Sequence, residues 1–325
     1  MRISGEYWGV MDLDEDYDVI IIGAGVAGYA AAMYAGRFMM KTLVIGETPG
    51  GTIILTDVTE NYPGFKRLTG MELAEKIREH ALEYGVELVE DRVSRVDRKG
   101  NACFTVHTSE NSYHSKTVIF ATGTKARKLN VSGEEKFANK GVHYCALCDG
   151  FFYKDKIIGV VGGSDSAAKE ALLLSQYGKK VYIIYRGDEI HPEPINKKRI
   201  EENSKIEVIT NTQVVDMKGR EKLEAVTLSK PYKGSMELPI DALFIAIGHI
   251  PLSQLAVDIG VETNPRGEII IDRLSRTNVP GVYAAGDVTD SPFKQAITGV
   301  AEGVTAAYSA YQFVSETEVT CYLED

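Results

Sequence analysis

Two thiols and a carboxylic acid stand together at Cys145-Ala146-Leu147-Cys148-Asp149. Thiols three residues apart can close a small-ring disulfide and reopen it at modest cost. The first thiol of such a pair often has a lowered pKa, which makes it a competent nucleophile. Asp149 can give or take the proton that thiol–disulfide exchange requires. The pair lies between two glycine-rich turns, Gly23-Ala24-Gly25-Val26-Ala27-Gly28 and Gly162-Gly163-Ser164-Asp165-Ser166-Ala167. A dithiol framed by two nucleotide-type turns reads as an electron relay.

The pair has two other readings. His143 stands two residues before Cys145, so His-x-Cys-x-x-Cys is half of a zinc motif. A structural zinc wants four ligands, and of four cysteines only Cys103 and Cys321 remain, neither in a second pair. A static structural disulfide is the other reading, and a Cys-x-x-Cys ring is usually too strained for that role. No metal is expected. Cys103, in the alternating run 102–108, reads as a small core residue. Cys321 lies near the chain end, and Trp8 with the first dozen residues suggests no role.

The chain has 325 residues, 44% hydrophobic and 25% charged, which suits a globular protein of one large or two ordinary domains. Its net charge of −10 argues against nucleic-acid binding, which needs clustered Lys and Arg. Four cysteines at this length do not make a secreted disulfide scaffold, so a reducing, cytoplasmic compartment is expected. Residues 19–36 carry no charge and are nearly long enough to cross a bilayer. Gly23, Gly25 and Gly28 interrupt them in a tight turn, and Asp12, Asp14, Glu15, Asp16 and Asp18 precede them where a signal peptide needs a positive flank. They read as a buried strand–turn–helix, with no membrane segment.

The elements that must position the dithiol follow from periodicity. Residues 18–22 are a short apolar β run, 26–40 are Ala-rich and helical, and 42–45 form a second apolar strand. Together they make the β-α-β unit of a Rossmann dinucleotide fold. Gly23 permits the turn, Gly25 lets backbone approach a pyrophosphate, and Gly28 allows close helix packing. The helix N-terminus then turns its unpaired N–H groups to the phosphates. Glu47 lies 24 residues after Gly23, where a carboxylate can accept from a ribose hydroxyl. The unit recurs 139 residues on, with strand 157–161, the Gly162 turn, helix 168–177 and strand 180–185. Between the two units, 71–84 reads as an amphipathic helix and 87–118 as short strands. Strand 118–121 runs into Thr122-Gly123 and strand 243–247 into Gly248, which mark the crossings between domains, and a long helix is expected over about 293–314. The expected fold is α/β, with two Rossmann-like three-layer dinucleotide-binding domains. The second, 122–246, is inserted into the first, 1–121 and 247–325.

These motifs, in this order, resemble the low-molecular-weight thioredoxin reductases, FAD enzymes of the pyridine nucleotide–disulfide oxidoreductase superfamily. The most specific part is the dithiol run Cys145 to Asp149 with Gly150-Phe151-Phe152 after it. Gly50-Gly51, Glu60-Asn61-Tyr62-Pro63-Gly64, Ala121-Thr122-Gly123, Gly286-Asp287 and Lys294-Gln295-Ala296 match as well. The resemblance implies that FAD is held by Gly23, Gly25, Val26, Ala27, Gly28, Gly46, Glu47, Gly50, Gly51, Thr52, Asn61, Val93, Ala121, Thr122, Gly123, Gly286 and Asp287. It places Lys294, Gln295 and Ala296 near the flavin. It assigns Cys148 as the flavin-facing thiol, Cys145 as the interchange thiol and Asp149 as the acid/base. It implies a thioredoxin-like protein substrate, a homodimer, and a rotation of one domain against the other. The second turn (Gly162, Gly163, Ser164, Asp165, Ser166) with Arg186 would take a pyridine nucleotide.

The chain departs from the family at that second site. Gly-x-Gly-x-x-Ala has become Gly162-Gly163-Ser164-Asp165-Ser166-Ala167, which puts a Cβ where phosphate approaches. His-Arg-Arg with a further arginine after three residues has become Tyr185-Arg186-Gly187-Asp188-Glu189-Ile190-His191. Each lost charge-assisted hydrogen bond is worth about 1.5–3 kcal/mol, so two lower affinity by roughly 10²–10⁴. Lys197, Lys198 and Arg199 offer partial compensation or simply form a solvated helix face. The expected activity is a flavin-dependent disulfide reductase fed by NADPH or, alternatively, by NADH, reduced ferredoxin or a reduced deazaflavin. A non-catalytic flavin/dithiol redox sensor is the rival of another class.

Overall fold

The structure, a computed structural model, describes residues 17–100 and 102–316. Trp8, the first dozen residues and Cys321 lie outside them. The chain divides into two compact units. One holds the residues up to Gly51, Ala74–Gly123 and the stretch from Leu252 on; the other holds Thr52–Leu73 and Thr124–Pro251.

The first unit is built on a seven-stranded sheet. Tyr17–Ile22 is its centre, flanked in parallel by Thr42–Ile45, then Glu87–Val89, on one side and by Ser112–Phe120 on the other. The nine-residue Ser112–Phe120 strand forks. Its first residues pair antiparallel with Cys103–His107, which continues to Arg95–Lys99, and its last three pair in parallel with Val282–Ala284. Alternation along Tyr17–Ile22 then sorts the core. Val19 and Ile21 face the helix layer with Ala31, Ala32, Ala306 and Ala307, while Ile20 and Ile22 face Phe104, Val106 and Val279.

The helix layer comprises Val26–Arg37 and the long Ala296–Glu316. Small residues let their backbones meet: a Cβ on Gly303 would lie 2.2 Å from the Ala27 carbonyl oxygen. The first helix stops three residues short of the expected 40, because Met39 takes a left-handed φ of 62° that no helix accommodates. Helix Gly70–Leu82 starts one residue early for a local reason. Thr69 and Glu72 form a capping box, Glu72 N–H to Thr69 Oγ1 at 3.1 Å and Thr69 N–H to Glu72 Oε2 at 2.7 Å.

The second unit has a five-stranded, all-parallel sheet in the order Ile206–Ile209, Lys180–Ile184, Ile157–Val161, Ala242–Ile245, Val142–His143. Helices Asp165–Tyr177 and Pro194–Glu201 cover one face through Ile158, Val160, Ala171, Leu174 and Ile200. A three-stranded antiparallel sheet (Val214–Lys218, Ala225–Tyr232, Ser235–Pro239) covers the other through Val226, Leu228, Leu243 and Ile245. The same unit contains an antiparallel ribbon of Thr124–Ala126 with His249–Pro251. Among the described residues, no helix is long and apolar enough to cross a membrane.

Glu170, on helix Asp165–Tyr177, breaks the rule that buried polar groups are partnered. The residue is half-buried by area, yet Oε2 is out of solvent with no hydrogen bond, so the carboxyl itself is desolvated. Burial pushes its pKa from 4.5 up to about 8. Between those values the folded chain holds a proton that the unfolded chain has lost, so stability falls as pH rises through the window. Glu170→Gln removes this titration. Its Tm advantage over the parent should therefore grow between pH 5 and pH 8, read by thermal unfolding at both. An advantage independent of pH would contradict the assignment.

Candidate active site

The dithiol sits at the edge of the second unit's sheet. Strand Val142–His143 delivers the chain to Cys145, which is the N-cap of the one-turn helix Ala146–Asp149. Cys145 Sγ accepts the Cys148 N–H at 3.1 Å, so a backbone donor lies at that sulfur within the turn. The two cysteines are joined as a disulfide. Cys148 is exposed and Cys145 half-buried. Ala146 anchors the turn in the core beside Ala167, Ala171 and Leu174. Gly150 follows because a Cβ there would lie 2.8 Å from Leu174 Cδ2.

Asp149 has a neighbour that sequence reading set aside as half a zinc motif. His143 is buried, stacked on Phe244 with centroids 5.3 Å apart. Its Nδ1 lies 3.0 Å from Asp149 Oδ2 and its Nε2 lies 2.8 Å from the Tyr153 hydroxyl. The Nδ1 contact is close enough for an ion pair, but the carboxylate stands off the N–H axis and no directed hydrogen bond forms. Burial, then the charges of Asp149 and Asp241, raise the Tyr153 pKa and keep it a phenol.

Cys103, expected as a small core residue, is half-buried and disulfide-bonded.

The first turn of the first unit is shaped as a cradle. Gly23 adopts φ +119°, and a Cβ there would lie 2.2 Å from the Ala121 carbonyl oxygen; one on Gly28 would lie 1.9 Å from that of Gly23. Those glycines are needed by the protein's own packing. Gly25 is different. Its φ of −86° suits any residue, and a Cβ would meet nothing nearer than Gly51 Cα at 3.8 Å. The space beside it is left open at the N-terminus of a twelve-residue helix with no side-chain cap. Backbone N–H groups around an uncapped helix start are what a pyrophosphate needs.

Neighbouring loops complete the cradle. Gly50 N–H bonds Ala24 O at 2.8 Å, Gly25 and Gly50 form a bridge, and Gly46 is buried with exposed Glu47 after it. Gly286 takes φ +80°, and its Cβ would lie 3.0 Å from Ala27 Cβ, so Gly286-Asp287 sits beside the helix start. Glu302, which carried no sequence signal, holds that loop by accepting from Gly286 N–H at 2.8 Å and from Thr289 Oγ1 at 3.1 Å. The Lys294 ammonium is engaged with the carbonyls of Asp287 and Thr289 and with Glu268 Oε1 at 3.2 Å, so it too holds the loop. The Gln295 N–H is accepted by Thr298 Oγ1 ahead of the helix that Ala296 starts. Val93 is buried in the sheet's other face, and Ala121 N–H bonds Ile22 O at 2.8 Å. Thr122 Oγ1 donates to Leu252 O at 2.7 Å, and Leu252 N–H bonds Gly123 O at 3.0 Å. Thr52 and Asn61 belong to the other compact unit. The residues of the first unit fit FAD.

The second turn does not fit a pyridine nucleotide in the same way. Gly162 repeats Gly23, with a Cβ position 2.2 Å from Ala246 O. The space beside Gly163, however, is filled by the Tyr185 ring, 2.5 Å from where a Cβ would be, and that ring also covers Gly187. The loop after it folds back, with His191 N–H on Gly163 O at 2.6 Å. Ser164 caps the helix without a side-chain bond, and Ser166 is exposed. Asp165 puts a carboxylate at the helix start, bonded to Glu193 N–H and Asn196 Nδ2 at 2.8 Å each. Burial works to raise its pKa, but Asn196, Lys169 and Glu193 outweigh it and hold the group below its usual value. It is therefore an anion in the first turn of that helix, held by Glu193, Asn196 and Lys169. Lys197, Lys198 and Arg199 are paired with Glu189, Glu202 and Glu60, which fits the solvated helix face. Arg186 is exposed and makes no ion pair among the described residues.

An α/β chain with a nucleotide cradle and a dithiol beside an acid defines a flavin disulfide oxidoreductase. Sequence comparison agrees: the profile of the pyridine nucleotide-disulphide oxidoreductases matches residues 17–303, and the chain belongs to that family. Within it, the chain is similar to thioredoxin reductases. That of Listeria innocua is 38% identical over 303 residues, covering 92% of this chain and 94% of the relative. The thioredoxin reductase structure from Lactococcus lactis, in its FR conformation, has TM-score 0.89 at 38% identity, covering 93% of this chain and 100% of that one. A ferredoxin-flavin thioredoxin reductase from Clostridium acetobutylicum has TM-score 0.51 at 32% identity, with 93% and 99% covered. The family implies FAD and a pyridine nucleotide.

Proposed function

We propose that this chain reduces the disulfide of a thioredoxin-like protein through Cys145 and Cys148. When bound, FAD supplies the two electrons that open the Cys145–Cys148 disulfide. The Cys145 thiolate then attacks one sulfur of the partner disulfide and forms a mixed disulfide. The other partner sulfur leaves as a thiolate and takes the Asp149 proton. Cys148 next gives its thiol proton to Asp149 and attacks Cys145 Sγ, which re-forms the internal disulfide while the second partner sulfur leaves as a thiolate and takes that proton. Two electrons and two protons have passed to the partner. The observation that carries this reading is the Cys148 N–H on Cys145 Sγ with Asp149 in the same turn. An acid there serves turnover and has no use in a passive sensor. By resemblance we assign a cytoplasmic homodimer; the low cysteine content supports the compartment.

The donor is a separate matter. The Tyr185 ring over Gly163 and the ionised Asp165 favour a reading in which NADPH serves poorly, with no clear advantage over NADH. Electrons would then reach the flavin from a pyridine nucleotide without preference for NADPH, with reduced ferredoxin and a reduced deazaflavin as the alternatives. Restoring arginine at Gly187 alone will not recover NADPH use, since its Cβ would lie 2.5 Å from the Tyr185 ring. The test is anaerobic mixing of oxidised holoenzyme with each of the four donors, following loss of flavin absorbance. Slow bleaching by both nicotinamides is expected. Fast bleaching by micromolar NADPH, with NADH far slower, would show that the second site still works.

A further inference from the structure

The pairing of His143 with Asp149 has no part in the relay described so far. We propose that His143 is a positioning residue, which holds the Asp149 carboxyl so that its proton reaches the leaving thiolate during exchange. The proposal rests on the disulfide-reductase reading above.

The sequence builds this pairing economically. His143 ends the edge strand, in register with Phe244 of its neighbour, and that register lays the imidazole on the Phe244 ring at 5.3 Å. Tyr153 packs edge-on against both rings, with centroids 5.3 Å from His143 and 6.1 Å from Phe244. The imidazole is thereby fixed in place. Six residues on, the single helical turn brings Asp149 back over it, to 3.0 Å from Nδ1.

The tautomer follows from the partners. Tyr153 stays a phenol, which is able to donate its O–H to Nε2; in that tautomer the ring proton of a neutral His143 sits on Nδ1, on the Asp149 side. If His143 is protonated, Nδ1 still carries a proton. In both of these states a protonated Nδ1 lies 3.0 Å from Asp149 Oδ2, although off the N–H axis. The Asp149 side chain stays 31% exposed while that of His143 is 6% exposed, so the carboxyl is the outer member, free to meet a partner's sulfur. The carboxylate lies off the Nδ1–H axis in the disulfide form, which leaves it able to turn between His143 and the reacting sulfurs. Other charges nearby are few. Asp241 acts on Tyr153 and is paired with Lys156 at 3.8 Å, and helix Asp165–Tyr177, which packs against the dithiol turn, also carries Glu170.

A comparison of two disulfide probes separates positioning from mere scaffolding. The leaving group of hydroxyethyl disulfide is an ordinary alkyl thiolate that must take a proton. That of 5,5′-dithiobis(2-nitrobenzoic acid) is a stable aryl thiolate that needs none. Chemically reduced holoenzyme is mixed with each probe in single turnover, so no donor is involved. His143→Leu should slow the alkyl disulfide by at least about tenfold and the aryl disulfide by less than about twofold. His143→Asn, which keeps an N–H near the Nδ1 position, should recover most of the loss. Equal slowing of both probes, or of neither, would overturn the proposal. If His143→Leu does not fold, His143→Gln serves, since it reaches Tyr153 but offers Asp149 no donor; it should show the same split. A parent enzyme that reduces neither probe would instead sink the disulfide-reductase reading itself.

Discussion

Gly25→Val protein is expected to fold normally and to be colourless. The backbone at Gly25 has φ −86°, and a side chain there meets no protein atom closer than 3.8 Å, so the substitution costs the fold little. The added carbons would fill the space at the uncapped helix start where the proposed FAD pyrophosphate would lie, with backbone N–H groups approaching its oxygens directly. Flavin content measured on purified protein should drop from about one per chain to near zero, with circular dichroism and gel filtration unchanged. Gly28→Val is the contrast. Its Cβ would lie 1.9 Å from Gly23 O, so the turn itself must break and the chain should be insoluble or much less stable. Retention of flavin by folded Gly25→Val would place the cofactor elsewhere.

Cys148→Ser should abolish turnover and leave a covalent complex. Cys145 keeps its nucleophilic sulfur and can still attack a partner disulfide, but the second thiol that resolves the mixed disulfide is gone. Incubation with an oxidised thioredoxin should give an adduct of summed mass, seen on non-reducing gels and released by dithiothreitol. Cys145→Ser should give no such adduct, and both variants should lose at least about 10³-fold in steady-state rate, a loss typical when a covalent nucleophile is removed. An adduct formed by Cys145→Ser and not by Cys148→Ser would reverse the two roles. This outcome merits direct measurement because Cys148 is the more exposed of the pair in the disulfide form.

Local features read well from sequence because local physics makes them. The apolar run within Tyr17–Ile22, the glycine turn after it and the Ala-rich helix are consecutive, so spacing alone locates the cradle. The Cys145–Cys148 pair and Asp149 share one turn and are visible for the same reason. Element ends were less legible. The left-handed Met39 and the Thr69–Glu72 capping box each moved a helix boundary, and both depend on side-chain or backbone geometry that hydrophobic periodicity does not encode.

What the sequence by itself determined is the set of chemical groups: a dithiol with its acid, a first nucleotide-type turn, and a second turn whose following stretch keeps only Arg186. What only the tertiary structure decided is how residues far apart in the chain complete or spoil those sites. Glu302 holds Gly286 from sixteen residues away, and a single glutamate in a long helix carries no such signal. Lys197 and Arg199, which the sequence offers as partial compensation at a phosphate site, are paired instead with Glu189 and Glu60. The Tyr185 ring closes over Gly163, twenty-two residues earlier, because adjacent parallel strands bring both to the same sheet end. His143 meets Asp149 because strand register fixes the ring on Phe244 and one helical turn returns the carboxylate to it. Side-chain types are local facts, but which side chains meet is set by sheet register and helix packing, and those emerge only when the whole chain has folded.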